Sequence, residues 1–311
     1  MTEDAESDPR QQIIDAKALA LAGCPLARQA IDLLVDQGSF TEYGLLAGHT
    51  TAVDDDGPSD GLVGGVGDIG GHPTVIAAHD WSVLDGTHSD RNMRKLAKLI
   101  TIAISNRWPL VLLIEGNGSR SSDPLPVPPI VNYTRARWDV FEGLCELSGW
   151  APTVAIAVGT ARDSHAAMTF LCDLTIATKK SEFGSNLDSS ECEPAESLAE
   201  RGNIDVIVED IQEAVSAAQR FLTYWHEDIS DFAASDSADD ISNIVPENRR
   251  RPYDMRKVIA AFADKDSVFE VGGAWAPSLI TAFARVEGKA VGVFANQPFS
   301  PRAGAIDSAA A

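Results

Sequence analysis

A segment near the start of this chain returns near its end. Residues 31–43 read IDLLVDQGSFTEY and residues 259–271 read IAAFADKDSVFEV, and each leads through a loop into two β-rich runs joined by a glycine-containing turn. Those runs are GLVGGVGDIGGHPTVIAAHDWSV in the first copy and LITAFARVEGKAVGVFANQPF in the second. Both copies predict an amphipathic helix, a turn bearing Ser39 or Ser267, an acidic Glu42 or Glu270, and then a hairpin. A duplicated entry unit implies a duplicated domain. The first copy is followed by a long further α/β pattern and the second by little before Ala311. The expectation is one whole domain and the opening of another, in a chain that reads as part of a longer protein.

With 44% hydrophobic residues among 311, there is ample material for a buried core. The formal net charge of −21 is spread along the chain and argues against nucleic acid or an anionic membrane as partner. No apolar stretch reaches membrane-spanning length, and the acidic, polar start from Met1 to Arg10 differs from a secretory signal, so the expected address is cytoplasmic. Cys24, Cys145, Cys172 and Cys192 are widely separated, with no CxxC pair and no histidine at metal-ligand spacing. The expectation is free thiols in a reducing compartment and no metal. His49, His72 and His79, in or beside the first hairpin, read as surface or hydrogen-bonded structural residues.

Residues 11–37 show helical periods broken at Gly23 to Pro25, and Asp54 to Ser59 form a turn cluster before the first hairpin. Arg91 to Asn106 predicts a helix with Leu96, Leu99, Ile100 and Ile104 on one side and Arg91, Arg94, Lys95 and Lys98 on the other. That basic face is either solvated or a contact for phosphates. The apolar run PLVLLIEG follows, then a helix over Ala136 to Ser148, the strand PTVAIAVG, a helix over Ser164 to Leu171, the strand LTIAT and a helix over Glu209 to Trp225. Strand, glycine-containing turn and helix in succession predict a layered α/β fold with buried strands. Glu227, Asp228, Asp231, Asp236, Asp239 and Asp240 make an acidic linker.

Chemistry is expected at two strand-to-helix turns. In the first, Glu115 to Arg120, the glycines at 116 and 118 let backbone approach a ligand closely. The second runs from Gly159 to Ala167 and opens a helix, where backbone N–H groups can stabilise an oxyanion. Each also has a plainer reading, the first as a tight turn and the second with Ser164 as an N-cap.

These stretches resemble the carboxyltransferase subunits of biotin-dependent acyl-CoA carboxylases, of the acetyl- and propionyl-CoA carboxylase type. The resemblance is carried by LLVDQGSFTEYGLLAGH at 33–49, SDGLVGGVGDIGGHPTVIAAHDWSVLDGTHS at 59–89, LVLLIEGNGSR at 110–120 and PTVAIAVGTARDSHAAMTFLCDLTIAT at 152–178. It continues through VPENRRRPYDMRKVIAAFADKDSVFEVGG and LITAFARVEGKAVGVFANQP, in the family's order. It implies a crotonase-like (ClpP/crotonase) fold, a layered ββα superhelix. The implied organisation is an extension at 1–26, an N-terminal domain at 27–228, the acidic linker at 229–247 and the start of a C-terminal domain at 248–311. The implied reaction moves a carboxyl group from carboxybiotin to the α-carbon of an acyl-CoA. CO2 is released in the site, the freed ureido nitrogen takes the α-proton, and the enolate captures the CO2. Carboxybiotin arrives on a partner biotin carboxylase/biotin carrier subunit, and the family implies a homo-oligomer. The implied site comprises Asp163, Ser164 and His165 as backbone oxyanion donors, with Gly116, Asn117, Gly118, Ser119 and Arg120 binding substrate and no metal.

Two departures stand out. Asp163 and Ser164 occupy a turn where the family carries small residues, and a carboxylate beside an enolate opposes the developing charge at low dielectric. The segment after Phe183 passes quickly through Gly184, Ser185 and Asn186 where relatives carry a longer glycine-rich stretch. A catalytically impaired homologue acting as a structural subunit is therefore the alternative. A hydrolase using Ser164 with His165 lacks a GxSxG elbow, and adjacent helical residues point about 100° apart.

Overall fold

The computed structural model describes residues 9–47, 60–120, 129–185, 192–226, 228–230, 232–233, 241–248, 250–306 and 308. The Asp54 to Ser59 cluster, His49, Asn186, and Glu227, Asp231, Asp236, Asp239 and Asp240 of the acidic linker stretch lie outside the described residues. The elements run, in chain order, α1 (Pro9–Ala22), α2 (Pro25–Leu34), β1 (Thr41–Glu42), β2 (Leu62–Ile69), β3 (His72–His79), α3 (Asp90–Asn106), β4 (Leu110–Gly116) and α4 (Pro129–Leu147). They continue with β5 (Thr153–Arg162), α5 (Ser164–Phe170), β6 (Leu174–Thr178), β7 (Glu182–Gly184), β8 (Glu193–Pro194), α6 (Ala195–Ala199), β9 (Val206–Val208) and α7 (Ile211–Thr223). Last come α8 (Ile241–Ile244), α9 (Met255–Phe262), β10 (Phe269–Val271), β11 (Leu279–Val286) and β12 (Lys289–Asn296). Two compact units result, Met1–Asp173 with Ser181–Cys192, and Leu174–Lys180 with Glu193–Ala311. The sequence reading instead draws its boundary in the acidic linker.

In the first unit, β2 and β3 form an antiparallel hairpin closed by Gly70 and Gly71, both at positive φ, which the tight two-residue turn requires. From β3 the sheet turns parallel, with Ile76 opposite Val111 and Val111 opposite Val154. These strands are buried almost throughout, so both faces are covered and the sequence runs apolar without alternation. Helix α3 covers the sheet with Met93, Leu96, Leu99, Ile100 and Ala103, all buried. Each of the four larger side chains contributes on the order of 1.5–3 kcal/mol of hydrophobic stabilisation. Ser89 caps α3 by accepting the Asn92 N–H at 2.9 Å. Helix α2 buries Ala27, Ile31 and Leu34, and Asp80 at the end of the hairpin accepts the Ala27 N–H at 2.9 Å, satisfying a donor of the helix's first turn.

Strand β5 is longer than its apolar run. It continues through Gly159 to Arg162 because Thr160, Ala161 and Arg162 pair in parallel with Glu182, Phe183 and Gly184 of β7. The expected loop at the second turn is thereby reduced to Asp163.

In the second unit, β6 and β9 pair in parallel beside α7, which is capped by Asp210. Helix α9 and strands β10, β11 and β12 reproduce the order of α2, β1, β2 and β3, with the same antiparallel pairings. The likeness extends to side chains. Asp36 accepts the N–H groups of Gly70 and Gly71 at 3.1 and 2.6 Å, and Asp264 accepts those of Glu287 and Gly288 at 2.9 and 2.7 Å. Ser39 Oγ accepts the Asp68 N–H at 2.9 Å, and Ser267 Oγ accepts that of Arg285 at 3.0 Å. Arg28 pairs with Glu42 and Arg256 with Glu270, each across 14 residues. The duplicated entry unit is thus one folding solution used twice.

Candidate functional site

Beyond β4 the chain makes a turn whose backbone is hydrogen-bonded to that of residues 85–88. The Asn117 N–H donates to Asp85 O at 3.1 Å, and Gly118 O accepts the His88 N–H at 2.7 Å. The Arg120 N–H donates back to His88 O at 2.8 Å. Gly118 sits at φ +77, and a Cβ there would lie 2.7 Å from Asp163 Cβ. A Cβ on Gly116 would lie 2.5 and 2.6 Å from Cε1 and Nε2 of His165. Both glycines are therefore required by the second turn, which packs directly on the first.

The second turn is equally constrained. Asp163 adopts φ 50 and ψ −118, a conformation that suits glycine rather than an L-residue. Its N–H donates to Gly184 O at 2.8 Å, and its Oδ2 accepts from Ser119 Oγ at 3.1 Å. The Asp163 side chain is exposed, so water screens its charge and reduces the penalty expected of a carboxylate at low dielectric. Helix α5 begins with the bond from the Ala167 N–H to Asp163 O, so the N–H groups of Ser164 and His165 precede its first helical bond. Ser164 Oγ is buried and makes no hydrogen bond, and Nδ1 of His165 accepts the Gly118 N–H at 3.1 Å. No nucleophile–base pair joins Ser164 to His165.

Arg120 is placed differently from the other residues of its turn. Its Nη1 pairs with Asp60 Oδ1 at 2.8 Å, with both side chains buried, and its Nε and Nη2 donate to Thr87 Oγ1 and Thr87 O at 3.1 and 2.8 Å. It braces the turn from inside the protein instead of presenting a free cation to a substrate. On α3, Arg94 pairs with Asp90, and Lys95 reaches the Leu62 carbonyl and Glu42, where burial lowers its pKa. The basic face is largely spent on the protein itself.

Sequence spacing missed one group. His79 at the end of β3, His88 before α3 and His165 on α5 meet in the interior, with ring centroids 5.0, 4.6 and 3.8 Å apart. One nitrogen from each lies within 4.8 Å of the others, so these are the described residues that could hold a metal ion. The His79 Nδ1 faces Leu113 O at 3.3 Å, while Nε2 of both His79 and His165 is buried with no hydrogen-bond partner. Burial holds the His79 pKa down to about 4, and burial followed by the neighbouring His88 and His79 holds His165 well below the ordinary range. The imidazoles of His79 and His165 are therefore neutral at pH 7. Leaving such nitrogens unpaired costs roughly 1–3 kcal/mol each. His79 is hydrogen-bonded, as its sequence reading expects, but the cluster it joins is assembled by tertiary contact from three elements, which sequence spacing does not show.

The sequence matches the carboxyl transferase domain over residues 21–311. It is 30% identical over 309 residues to the methylmalonyl-CoA carboxyltransferase 12S subunit of Propionibacterium freudenreichii subsp. shermanii, covering 92% of this chain and 58% of that protein. It is 26% identical over 298 residues to the propionyl-CoA carboxylase beta chain of Roseobacter denitrificans, covering 88% and 57%. The solved transcarboxylase 12S structure, described as a hexamer assembly with hydrolysed methylmalonyl-coenzyme A bound, superposes with a TM-score of 0.84 at 26% identity, covering 97% of this chain and 66% of that one. The chain thus spans well under two thirds of the curated relatives' length. Among the described residues, no helix is long and apolar enough to cross a membrane.

Proposed function

Because the chain belongs to the carboxyl transferase domain family, we propose that it supplies the acyl-CoA side of a biotin-dependent carboxyltransferase. Its layered α/β fold is of the crotonase-like type. In this reading a carboxyl group passes from carboxybiotin, brought by a biotin carboxylase/biotin carrier subunit, to the α-carbon of an acyl-CoA through an enolate. The observation that carries the reading is the direct packing of the Gly116 to Ser119 turn on the Asp163 to His165 turn.

The roles follow from that geometry. Gly116, Asn117, Gly118 and Ser119 form the backbone surface against which a thioester would lie. The N–H groups of Ser164 and His165 would stabilise the enolate oxygen, since that of Asp163 is engaged by Gly184 O. Arg120 braces the turn from behind through Asp60. Abstraction of the α-proton would fall to the biotin ureido nitrogen, consistent with neutral, buried histidines and no nucleophile–base pair between Ser164 and His165. A homo-oligomer and a cytoplasmic address complete the proposal, the first supported by the hexamer assembly of the 12S neighbour.

Titration calorimetry of the chain with acetyl-CoA and propionyl-CoA tests the reading. Saturable binding that is lost in Gly118→Val is expected. A folded chain that binds neither ester would overturn it and favour a structural subunit.

A further inference from the structure

We propose that His79, His88 and His165 form a binding site for one divalent ion of the zinc type, enclosed beside the two turns. Three imidazoles with no carboxylate among them favour zinc, cobalt, nickel or copper over magnesium or calcium. Three histidines with a fourth position left open is an arrangement used by zinc sites that retain a water. His79 is already prepared as a ligand. Its Nδ1–H donates to the Leu113 carbonyl, so Nε2 keeps its lone pair and is buried without a hydrogen-bond partner. An outer hydrogen bond of that kind fixes the tautomer and orientation of metal-bound histidines.

Two of the three ring spacings are close to what a tetrahedral ion needs. Zinc–nitrogen bonds at the usual length place ring centroids roughly 5 Å apart, and His79 lies 5.0 Å from His88 and 4.6 Å from His165. The remaining pair, His88 and His165, is stacked at 3.8 Å with planes 7° apart. Imidazole lone pairs lie in the ring plane, so two parallel rings cannot both point at one ion. Loading must turn one of them out of the stack.

A second consequence links the ion to the turn of the proposed acyl-CoA site. Nδ1 of His165 accepts the Gly118 N–H, so the proton of the neutral ring sits on Nε2. Coordination through Nε2 moves that proton to Nδ1. The ring stays neutral, and the Gly118 N–H is displaced from its acceptor. Metal occupancy and the conformation of Gly118 are therefore coupled.

The test strips the chain with a chelator and titrates it with Zn2+ against a chromophoric competitor, with Co2+ as a spectroscopic probe. One tight equivalent per chain, a tetrahedral Co2+ spectrum and a shifted Gly118 amide resonance are expected. His79→Gln and His88→Gln should each weaken binding at least about 100-fold, and His72→Gln should leave it unchanged. Wild-type binding no tighter than that of the two cluster variants would overturn the proposal. If the variants fail to fold, an octahedral or absent Co2+ signal in the wild-type chain overturns it alone.

Discussion

Gly118 donates its backbone N–H to Nδ1 of His165 at 3.1 Å, across 47 residues of sequence. The bond joins the turn after β4 to the start of α5, and it leaves Asp163, one residue before α5, with little conformational choice. Asp163 takes φ 50 and ψ −118 while its N–H is held by Gly184 O and its carboxylate by Ser119 Oγ.

Asp163→Gly should relieve that backbone. The strain of an L-residue in such a conformation is on the order of 1–3 kcal/mol, offset in part by the greater unfolded-state freedom of glycine and by loss of the Ser119 bond. A net gain of about 1 kcal/mol in unfolding free energy is expected, together with tighter acyl-CoA binding. Denaturant unfolding checks the first part, and a destabilised variant would show that the side-chain bond outweighs the strain.

The repeated entry unit predicts a ranked pair of effects. Asp264 is buried and holds two turn N–H groups, so Asp264→Ala should cost roughly 1–3 kcal/mol. Asp36 makes the same two bonds in an exposed setting, and Asp36→Ala should cost only about 0.5–1 kcal/mol. Equal losses in chemical unfolding would mean that burial does not set the difference.

The architecture was legible where local signals were strong. Gly70 and Gly71 announced one hairpin, and the residues around Glu287 and Gly288 the other, while helical spacing placed α3 and α7 to within a few residues. The end of β5 was not legible, because Gly159 to Arg162 carry no apolar run and become strand only through pairing with β7. The candidate site was legible as two turns, yet the fates of its polar groups were not. Asp60 lies 60 residues from Arg120, and the three histidines come from three elements with no common spacing.

Glu115 gives a pH-dependent prediction. Burial, and secondarily the nearby Asp80, raise its pKa above the ordinary carboxylate range. A raised folded-state pKa means that this group opposes folding least below the unfolded value of about 4.3 and increasingly as pH rises through the folded value. Glu115→Gln should therefore be more stable than the parent at neutral pH, and the difference should vanish as pH falls towards 4. Melting curves across that range test the sign, and an advantage that grows on acidification would contradict it.

Arg120 decides between a brace and a substrate contact. Its guanidinium is paired with Asp60 where both side chains are almost fully buried, 3% and 4% exposed. Removing one partner of such a pair leaves an uncompensated charge, so Arg120→Met should lose about 3–5 kcal/mol of stability. Arg120→Lys should recover only part of it, because a lysine cannot serve Asp60 and both Thr87 oxygens together. Asp60→Asn should resemble Arg120→Met in unfolding experiments, although Asp60 belongs to neither turn. Acyl-CoA affinity, measured where each variant is still folded, should stay within about twofold of the parent, a change of roughly 0.4 kcal/mol or less. A variant that keeps its stability but loses CoA-ester binding would instead make Arg120 a direct ligand of the substrate.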